Sequence, residues 1–213
     1  MTDSERRKKR SEELLKTQGI PINPSLPAIE SEEETTPRSA KDMAKRAVGL
    51  CAVALKGAGL NQQEIISLLN GKDVWASATP EEKKFLRKRK PAGQEMINFK
   101  WRYESLWVLL WALGHAEYLG APTSICDVQR AVRMVLDIPS VDFIQQAKSR
   151  PISEILDEAD LIYRYDWAVV DARIKEEDPP GNLDPGVVYE RHYALNWLIG
   201  YMDQEWDDVA TDT

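Results

Sequence analysis

The sequence predicts an all-α protein, built as a single compact multi-helix domain with an extended Pro-rich N-terminal segment. Helix start signals recur along the chain, with a capping residue followed by proline at Thr79-Pro80 and at Asp184-Pro185. No run shows the alternation of apolar and polar residues that a half-buried strand requires. The 213 residues are 43% hydrophobic, and a chain of this length buries roughly 70% of its unfolded surface in one core.

The N-terminal part predicts two successive structures within residues 1–35. Residues 4–18 are charged and favour a short helix that stops at Gly19. Residues 20–30 then alternate apolar side chains with three prolines, which disfavour a helix and favour an extended arm docked on the surface of the domain. The helical domain proper is predicted over residues 36–213.

Helix signals and stop signals divide residues 36–213 into a series of helices. Val74-Trp75 is expected to anchor a loop between two of them. The predicted helices run from Thr36-Pro37 to about Lys56, from Asn61 to about Asn70, from Thr79 to about Arg89, from Asn98 to Tyr118, from Asp127 to Leu136, from Ser140 to Ser149, from the cap Ser153 to about Lys175, and from the cap Asp184 to about Tyr201.

Composition excludes several classes of protein. The longest apolar run, Leu106 to Leu113, has 8 residues, whereas a membrane span needs about 18 or more. The N-terminus lacks the apolar region of a secretory signal, so a cytoplasmic protein is expected. Cys51 and Cys126 are too few for a disulfide framework and are expected to be reduced packing residues. No cofactor motif is present, and none is predicted.

Charge is distributed unevenly along the chain. Residues 151–213 carry 16 acidic and 4 basic residues, whereas residues 1–150 carry 24 basic and 19 acidic ones. The basic blocks Arg6 to Arg10 and Lys83 to Lys90 allow contact with nucleic acid or anionic lipid. A solvated helix face explains them better, since only Phe85 interleaves with the bases. The sequence therefore argues against a nucleic-acid partner and leaves membrane-surface binding as a third option.

Charged residues on apolar helices are the candidate site residues. Glu104 lies among tryptophans, so it is predicted to have a cationic partner, Arg164 or Arg191. Asp160, Arg164 and Asp171 fall on one polar stripe of the helix 153–175. These residues, with His192, are the catalytic candidates.

The last helix supplies the ligand-binding candidates. His192 and Asn196 share a face with Tyr189, and a histidine beside an amide and tyrosines is suited to carry a proton near neutral pH. Arg191, Asn196 and Tyr189 are the candidates for contacting a ligand. His115 and His192 belong to no metal-ligating pattern, so no metal site is predicted.

Two interpretations of these charges stay open. In the structural one, the charged candidates and Glu190 form a buried ion-pair network that fixes the register of three central helices. In the functional one, they line a cleft where His192 and a carboxylate share acid and base work.

Four strings carry a resemblance to a known family and together span nearly the whole chain. They are GIPINPSLPAIE at 19–30, INFKWRYESLWVLLWALG at 97–114, RPISEILDEADLIYRYDWAVVDAR at 150–173 and LDPGVVYERHYALNWLIGYMDQEWDDVATDT at 183–213. With these strings the chain resembles DUF4272, a bacterial domain of unknown function. The resemblance implies a domain of the same kind and assigns no activity, cofactor or catalytic residue.

Two functions follow as expectations. The first is a non-enzymatic protein-interaction domain of unknown partner, because helix packing explains the strong motifs better than chemistry does. The alternative is a small acid-base, hydrolase-like enzyme with a buried Glu/Asp/Arg/His cleft, which requires Glu104, Asp160, Arg164 and His192 to line one pocket. The acidic C-terminal segment is expected to be ordered, with Trp206 docked on the fold. Its acidic residues, Asp203, Glu205, Asp207 and Asp208, are expected to pair with the basic excess of residues 1–150.

Overall fold

The computed structural model describes residues 1–69, 71–139 and 141–213, and all-α is confirmed for this part of the chain. More than half of the residues are helical, and the described ranges contain no β-strand. The α-helices are α1 (Asp3–Thr17), α2 (Ala40–Gly57), α3 (Gln62–Leu68), α4 (Val74–Ser77), α5 (Pro80–Arg87), α6 (Gly93–Ala112), α7 (Val128–Asp137), α8 (Ile152–Ile174) and α9 (Pro185–Ile199). Short 3-10 turns lie at Pro180–Asn182, Tyr201–Asp203 and Trp206–Asp208, and a π-helical turn at Val141–Gln145.

The core lies between α2, α6 and α9. Helices α2 and α6 form the most extensive pair, α9 packs against α6 and α8, and α1 lies on the outer side of α8. Nearly every side chain from Met43 to Leu55 is buried, as are those from Tyr103 to Ala112. A helix that is apolar on all sides must be covered on all sides, which explains the central position of α2 and α6.

The arm between α1 and α2 has no helix over residues 20–30. Ile20 and Leu26 are buried in the domain, and Ile22 and Ile29 pack against the core. The arm thus covers part of α8 and α9 through its apolar side chains.

Several helix boundaries agree with the sequence. Asn61 and Thr79 each cap a helix in a capping box with the glutamate three residues later. Asp127 and Asp184 also accept backbone N–H groups at the first turn of their helices. The predicted end at Asn70 and the predicted start at Ser140 lie outside the described residues.

The predicted helix start at Thr36-Pro37 is wrong. Helix α2 begins at Ala40, where the Ser39 hydroxyl accepts the Asp42 N–H at 3.2 Å. The preceding backbone is extended because the Arg38 N–H donates to the Leu198 carbonyl at 2.9 Å. This contact with the end of α9 takes up the segment that local signals assigned to a helix.

Two other local predictions, a loop at Val74-Trp75 and a helix cap at Ser153, were also wrong. Val74-Trp75 does not anchor a loop but opens α4, because the Asp73 carboxylate caps the Ala76 N–H at 3.0 Å. Ser153 does not cap α8, which follows Pro151 directly without a side-chain cap. There, the Arg150 guanidinium donates to the Trp111 carbonyl at 2.7 Å and so fixes the entry of the chain.

Helix α6 begins and ends earlier than the predicted range Asn98 to Tyr118. Its first turns are added by tertiary contact, since Phe99 stacks on Phe85 of α5 with ring centroids 4.0 Å apart. Its end at Ala112 follows from Gly114, whose φ of +77° is left-handed, and the His115 N–H donates back to the Leu110 carbonyl at 2.8 Å.

Two more predicted ends are too long. Helix α5 ends at Arg87 and α9 at Ile199, where Gly200 adopts a φ of +72°. The range Ser140 to Ser149 contains only the π-helical turn Val141–Gln145 within its described part.

The crossing of α2 and α6 yields a stability prediction. A Cβ added at Gly57 would lie 2.6 Å from the Lys100 nitrogen and 2.7 Å from the Met96 carbonyl oxygen. Both are backbone atoms, so Gly57→Ala is expected to lower the free energy of unfolding by about 1–3 kcal/mol through overpacking. Chemical denaturation measures this loss. Gly93→Ala on α6 is the control, since a Cβ there meets no atom within 4 Å; equal behaviour of the two variants would contradict the close crossing.

Candidate functional site

A buried ion pair joins α6 to α9. Arg191 Nε donates to Glu104 Oε2 at 3.2 Å, and both side chains are almost fully buried. Glu104 also accepts the backbone N–H of Cys126, and Arg191 Nη1 donates to the Gly120 carbonyl at 2.7 Å. The prediction that Glu104 has Arg164 or Arg191 as cationic partner is confirmed, and the partner is Arg191.

A second buried ion pair, between Asp160 and Arg164, lies within one helix and does not join α6 to α9. Both residues lie on α8, where Arg164 donates to the carboxylate through Nε at 2.9 Å and Nη2 at 2.7 Å. Arg164 Nη2 also donates to the Pro27 carbonyl at 3.1 Å, and Nη1 lies 3.8 Å from Glu12 of α1. The Asp160–Arg164 pair therefore fastens α1 and the arm to the domain.

His192 belongs to neither of these ion pairs and contacts Asp166 of α8. Its Nδ1 lies 3.0 Å from Asp166 Oδ2, and both side chains are buried. The imidazole lines a cavity of about 120 Å³ together with Tyr163 and Asn196. We call it the His192 cavity; residues 27–30 of the arm and Asp212 close it.

The remaining candidates, Asp171, Asn196 and Tyr189, lie near the surface or contact the C-terminal tail. Asp171 pairs with the exposed Lys175 at 2.6 Å, so it does not join Asp160 and Arg164 in a buried stripe. Asn196 Nδ2 donates to the Ala210 carbonyl at 2.8 Å. Tyr189 is 46% exposed and lines a cleft with Asp166. The structure thus brings the candidates together in pairs and not in one cleft.

Arg102, Arg46 and Glu82 are charged residues that the sequence did not single out, whereas Glu190 was already part of the structural interpretation. Arg102 Nη1 lies 3.1 Å from Glu190 Oε2, which also accepts the Ser105 hydroxyl at 2.6 Å. Burial raises the pKa of Glu190, and Arg102 opposes that rise. Arg46 pairs with Glu82 in the interior. Arg46 directly follows Lys45 in the charged first half of α2, so the local sequence gave no signal that this arginine would be buried.

Three of the six basic residues in the block Lys83 to Lys90 have partners within the described fold. Lys84 pairs with Glu81 at 2.5 Å, Lys88 pairs with Glu95 at 2.7 Å, and the Arg87 guanidinium lies over the Trp75 ring. These contacts support the interpretation of this block as an ordinary solvated helix face.

One larger cavity, of about 400 Å³, lies between α1, α8, α9 and residues 118–122. Arg191 and Glu158 are the charged residues among its described lining. Most of its other walls are apolar or aromatic, and they include Leu14, Trp111, Leu119, Pro122, Leu161, Ile162, Tyr165 and Leu195. We call it the Arg191 cavity.

Glu158 has no ion pair and no side-chain hydrogen bond among the described residues. Burial raises the pKa of its carboxyl group above the ordinary value, and Arg191 lowers it again in part. A half-buried carboxylate without a partner is costly to the fold and is a feature of functional sites.

An apolar groove lies on the other side of the Glu104–Arg191 pair. It has a volume of about 260 Å³, and its walls are Ile97, Lys100, Trp101, Tyr103, Glu104, Ile125 and Val128. Ile97 on α6 is 51% exposed, and Ile125 in the segment before α7 is 61% exposed. Two large exposed aliphatic side chains thus line one groove.

Residues 118–128 separate the apolar groove from the Arg191 cavity. This loop is held in place by backbone contacts: Trp107 Nε1 donates to the Leu119 carbonyl at 3.3 Å, and the Asp184 N–H donates to the Pro122 carbonyl at 2.8 Å. Glu104 belongs to the groove and Arg191 to the cavity, so one ion pair connects the two concave surfaces.

The described residues contain neither a metal-ligating cluster nor a membrane-spanning helix. No group of three or more His, Cys, Asp or Glu side chains there is arranged to hold a metal ion. Among the same residues, no helix has the length and apolar character of a membrane span.

The raised pKa of Glu158 gives a pH prediction. A carboxyl group whose pKa is higher in the folded state stabilises the fold fully below its unfolded pKa of about 4.5, and this stabilisation is lost as the pH rises through the folded pKa. Glu158→Gln removes the ionisation, so its melting temperature is expected to exceed that of the wild type at pH 7 and to approach it near pH 4.

Thermal melts of both proteins from pH 4 to pH 8 measure this difference. Glu177→Gln, an exposed change just after α8 at a carboxylate without an ion pair in the described residues, is the control and should show no widening gap. A Glu158→Gln protein that melts below the wild type at pH 7 would contradict the unpaired carboxylate.

Comparison with known proteins gives one match. A family model described as a domain of unknown function (DUF4272) matches residues 7–209 of the 213-residue chain. No curated protein and no solved structure matches the chain.

Proposed function

We propose that this chain, which belongs to the DUF4272 family, is a non-enzymatic interaction domain that binds a short segment of a partner protein in the apolar groove. The observation that carries the proposal is the exposure of Ile97 and Ile125, two large aliphatic side chains that both line that groove. Monomeric proteins rarely leave contiguous apolar surface uncovered, and such surfaces are typical of interaction sites.

The chemistry of the groove supports one kind of occupant. Trp101 and Tyr103 are among its lining residues, and aromatic side chains in a concave site are frequent anchors for a partner's apolar residue. Lys100 is the exposed charge among the described lining residues, because the charge of Glu104 is balanced by Arg191. The proposed partner segment therefore carries a large apolar side chain close to an acidic residue.

Site-specific photo-cross-linking in the native host tests this proposal. A photoreactive amino acid at position 97 is expected to cross-link one partner, and the cross-linked peptide should contain an apolar residue within a few positions of Asp or Glu. The same amino acid at position 174 is the control, because Ile174 is 74% exposed and lies outside the groove.

Substitutions complete the test. Ile125→Glu should abolish the cross-link from position 97, whereas Ile174→Glu should leave it unchanged. A product that contains a second copy of this chain, or no product above the position 174 control, would overturn the proposed partner.

The expected cleft of Glu104, Asp160, Arg164 and His192 does not form, so a second candidate function, acid-base catalysis, rests on the His192–Asp166 pair alone. A carboxylate that holds one imidazole nitrogen orients the ring and leaves Nε2 for proton transfer. The proposed substrate is small, since the His192 cavity measures about 120 Å³.

Turnover of small esters and amides, followed by NMR, tests this candidate. His192→Gln is expected to reduce any turnover by a factor of about 100 or more, and His115→Gln, which changes the other of the 2 histidines, should not. Wild-type protein without turnover, or equal rates in both variants, would reject it.

A further inference from the structure

The Arg191 cavity combines two charged groups with apolar walls. Glu158 of α8 and Arg191 of α9 both line it, and Leu161, Ile162 and Leu195 are among its apolar lining residues. Ligand sites in proteins are concave, mostly apolar and carry a few polar groups, with volumes of about 300–1,000 Å³. The cavity, at about 400 Å³, is suited to a small organic molecule.

Both charged groups keep polar atoms that form no hydrogen bond with the described protein residues and can therefore contact a ligand. Arg191 uses Nε on Glu104 and Nη1 on the Gly120 carbonyl, and its Nη2 donates to no group in the described part of the chain. Glu158 has no partner there either. The site therefore offers one donor and one carboxylate at the same cavity.

The charge balance decides which ligand fits. Glu104 and Arg191 neutralise each other, so the unpaired carboxylate of Glu158 leaves the site with one negative charge. The neighbouring charges do not change this balance: Asp157 is 3.1 Å from Arg7, and Arg150 is 2.9 Å from Glu154. A buried charge is stabilised by an opposite charge in direct contact.

We propose that the Arg191 cavity binds a small organic monocation with an apolar body and a neutral hydrogen-bond acceptor. The ammonium group of the ligand pairs with Glu158, its carbonyl or hydroxyl oxygen accepts from Arg191 Nη2, and its apolar body contacts Leu161, Ile162 and Leu195. A carboxylate ligand is disfavoured, because it would meet Glu158 and Glu104 on either side of Arg191.

This inference does not depend on the proposed partner segment, which binds outside the cavity. Failure of either one leaves the other standing, because the cross-linking readout and the ligand titration use different surfaces and different variants.

Calorimetric titration of the full chain with L-leucinamide tests the inference. Leucinamide carries an ammonium group, a neutral amide oxygen and a branched apolar side chain. It is expected to bind, L-leucine to bind at least about tenfold more weakly because its carboxylate adds a negative charge, and 4-methylpentanamide, which lacks the ammonium group, to bind more weakly by a similar factor.

Glu158→Gln separates a ligand contact from a structural role. The variant is expected to lose at least about tenfold in leucinamide affinity while melting at a higher temperature than the wild type at pH 7. Glu177→Gln, which changes an exposed carboxylate without an ion pair in the described residues, should bind as the wild type does. Absence of leucinamide binding, tighter binding of leucine, or unchanged affinity in Glu158→Gln would overturn the proposal.

Discussion

Replacement of Glu104 by alanine is expected to lower the free energy of unfolding by about 3–5 kcal/mol, because it leaves the buried Arg191 guanidinium without its counter-charge. The Cys126 N–H also loses its acceptor. Denaturant unfolding monitored by tryptophan fluorescence measures the loss.

A double variant shows whether the effect comes from the uncompensated charge. Glu104→Leu combined with Arg191→Met removes both charges and keeps similar volume, and such replacements are often neutral or stabilising. The double variant is therefore expected to recover most of the stability lost in Glu104→Ala. A double variant less stable than the single one would instead assign the stabilisation to the hydrogen bonds of Arg191 with the loop at Gly120.

Truncation after Met202 is expected to lower the melting temperature by on the order of 10 °C, chiefly through loss of the buried Trp206. The Trp206 ring packs edge-on against Tyr193 and Trp197, with centroids 5.2 and 5.4 Å away. Arg46 and Arg102 lie over the same ring at 5.3 and 5.9 Å. Trp206→Ala should reproduce most of the loss.

The acidic residues of the tail are expected to contribute little. Glu205 pairs with Arg38 at 3.2 Å but is largely exposed, and within the described chain Asp203, Asp207 and Asp208 form no ion pair. Exposed pairs are worth about 0–1 kcal/mol. Glu205→Gln with Asp207→Asn should thus melt within a few degrees of the wild type. Unchanged melting after truncation would show that the tail is not part of the fold.

The acidic tail is therefore held in place by something other than its charge. The sequence predicts that the acidic tail pairs with the basic excess of residues 1–150. In the structure the tail is fixed by the Trp206 ring, by the Tyr193 hydroxyl, which donates to the Trp206 carbonyl, and by Asn196, which donates to the Ala210 carbonyl. Hydrophobic burial and neutral hydrogen bonds hold it more than charge does.

The sequence by itself determined the fold class and those helix starts that depend on neighbouring residues. A capping box at Asn61 or Thr79 involves residues three positions apart, so its geometry is local and can be predicted from sequence. The same holds for the need of Glu104 for a cation, since an apolar helix face cannot leave a carboxylate unpaired.

Tertiary structure alone decided the rest. The extended course of residues 36–38 depends on α9, the start of α8 depends on contacts of Arg150 with the end of α6, and the choice of Arg191 over Arg164 depends on which helix packs against Glu104. It also decided that Glu158, one charge among many on α8, faces a cavity without a partner. These are contacts between segments far apart in the chain, and a local pattern contains no information about which distant segment will supply the neighbouring atoms.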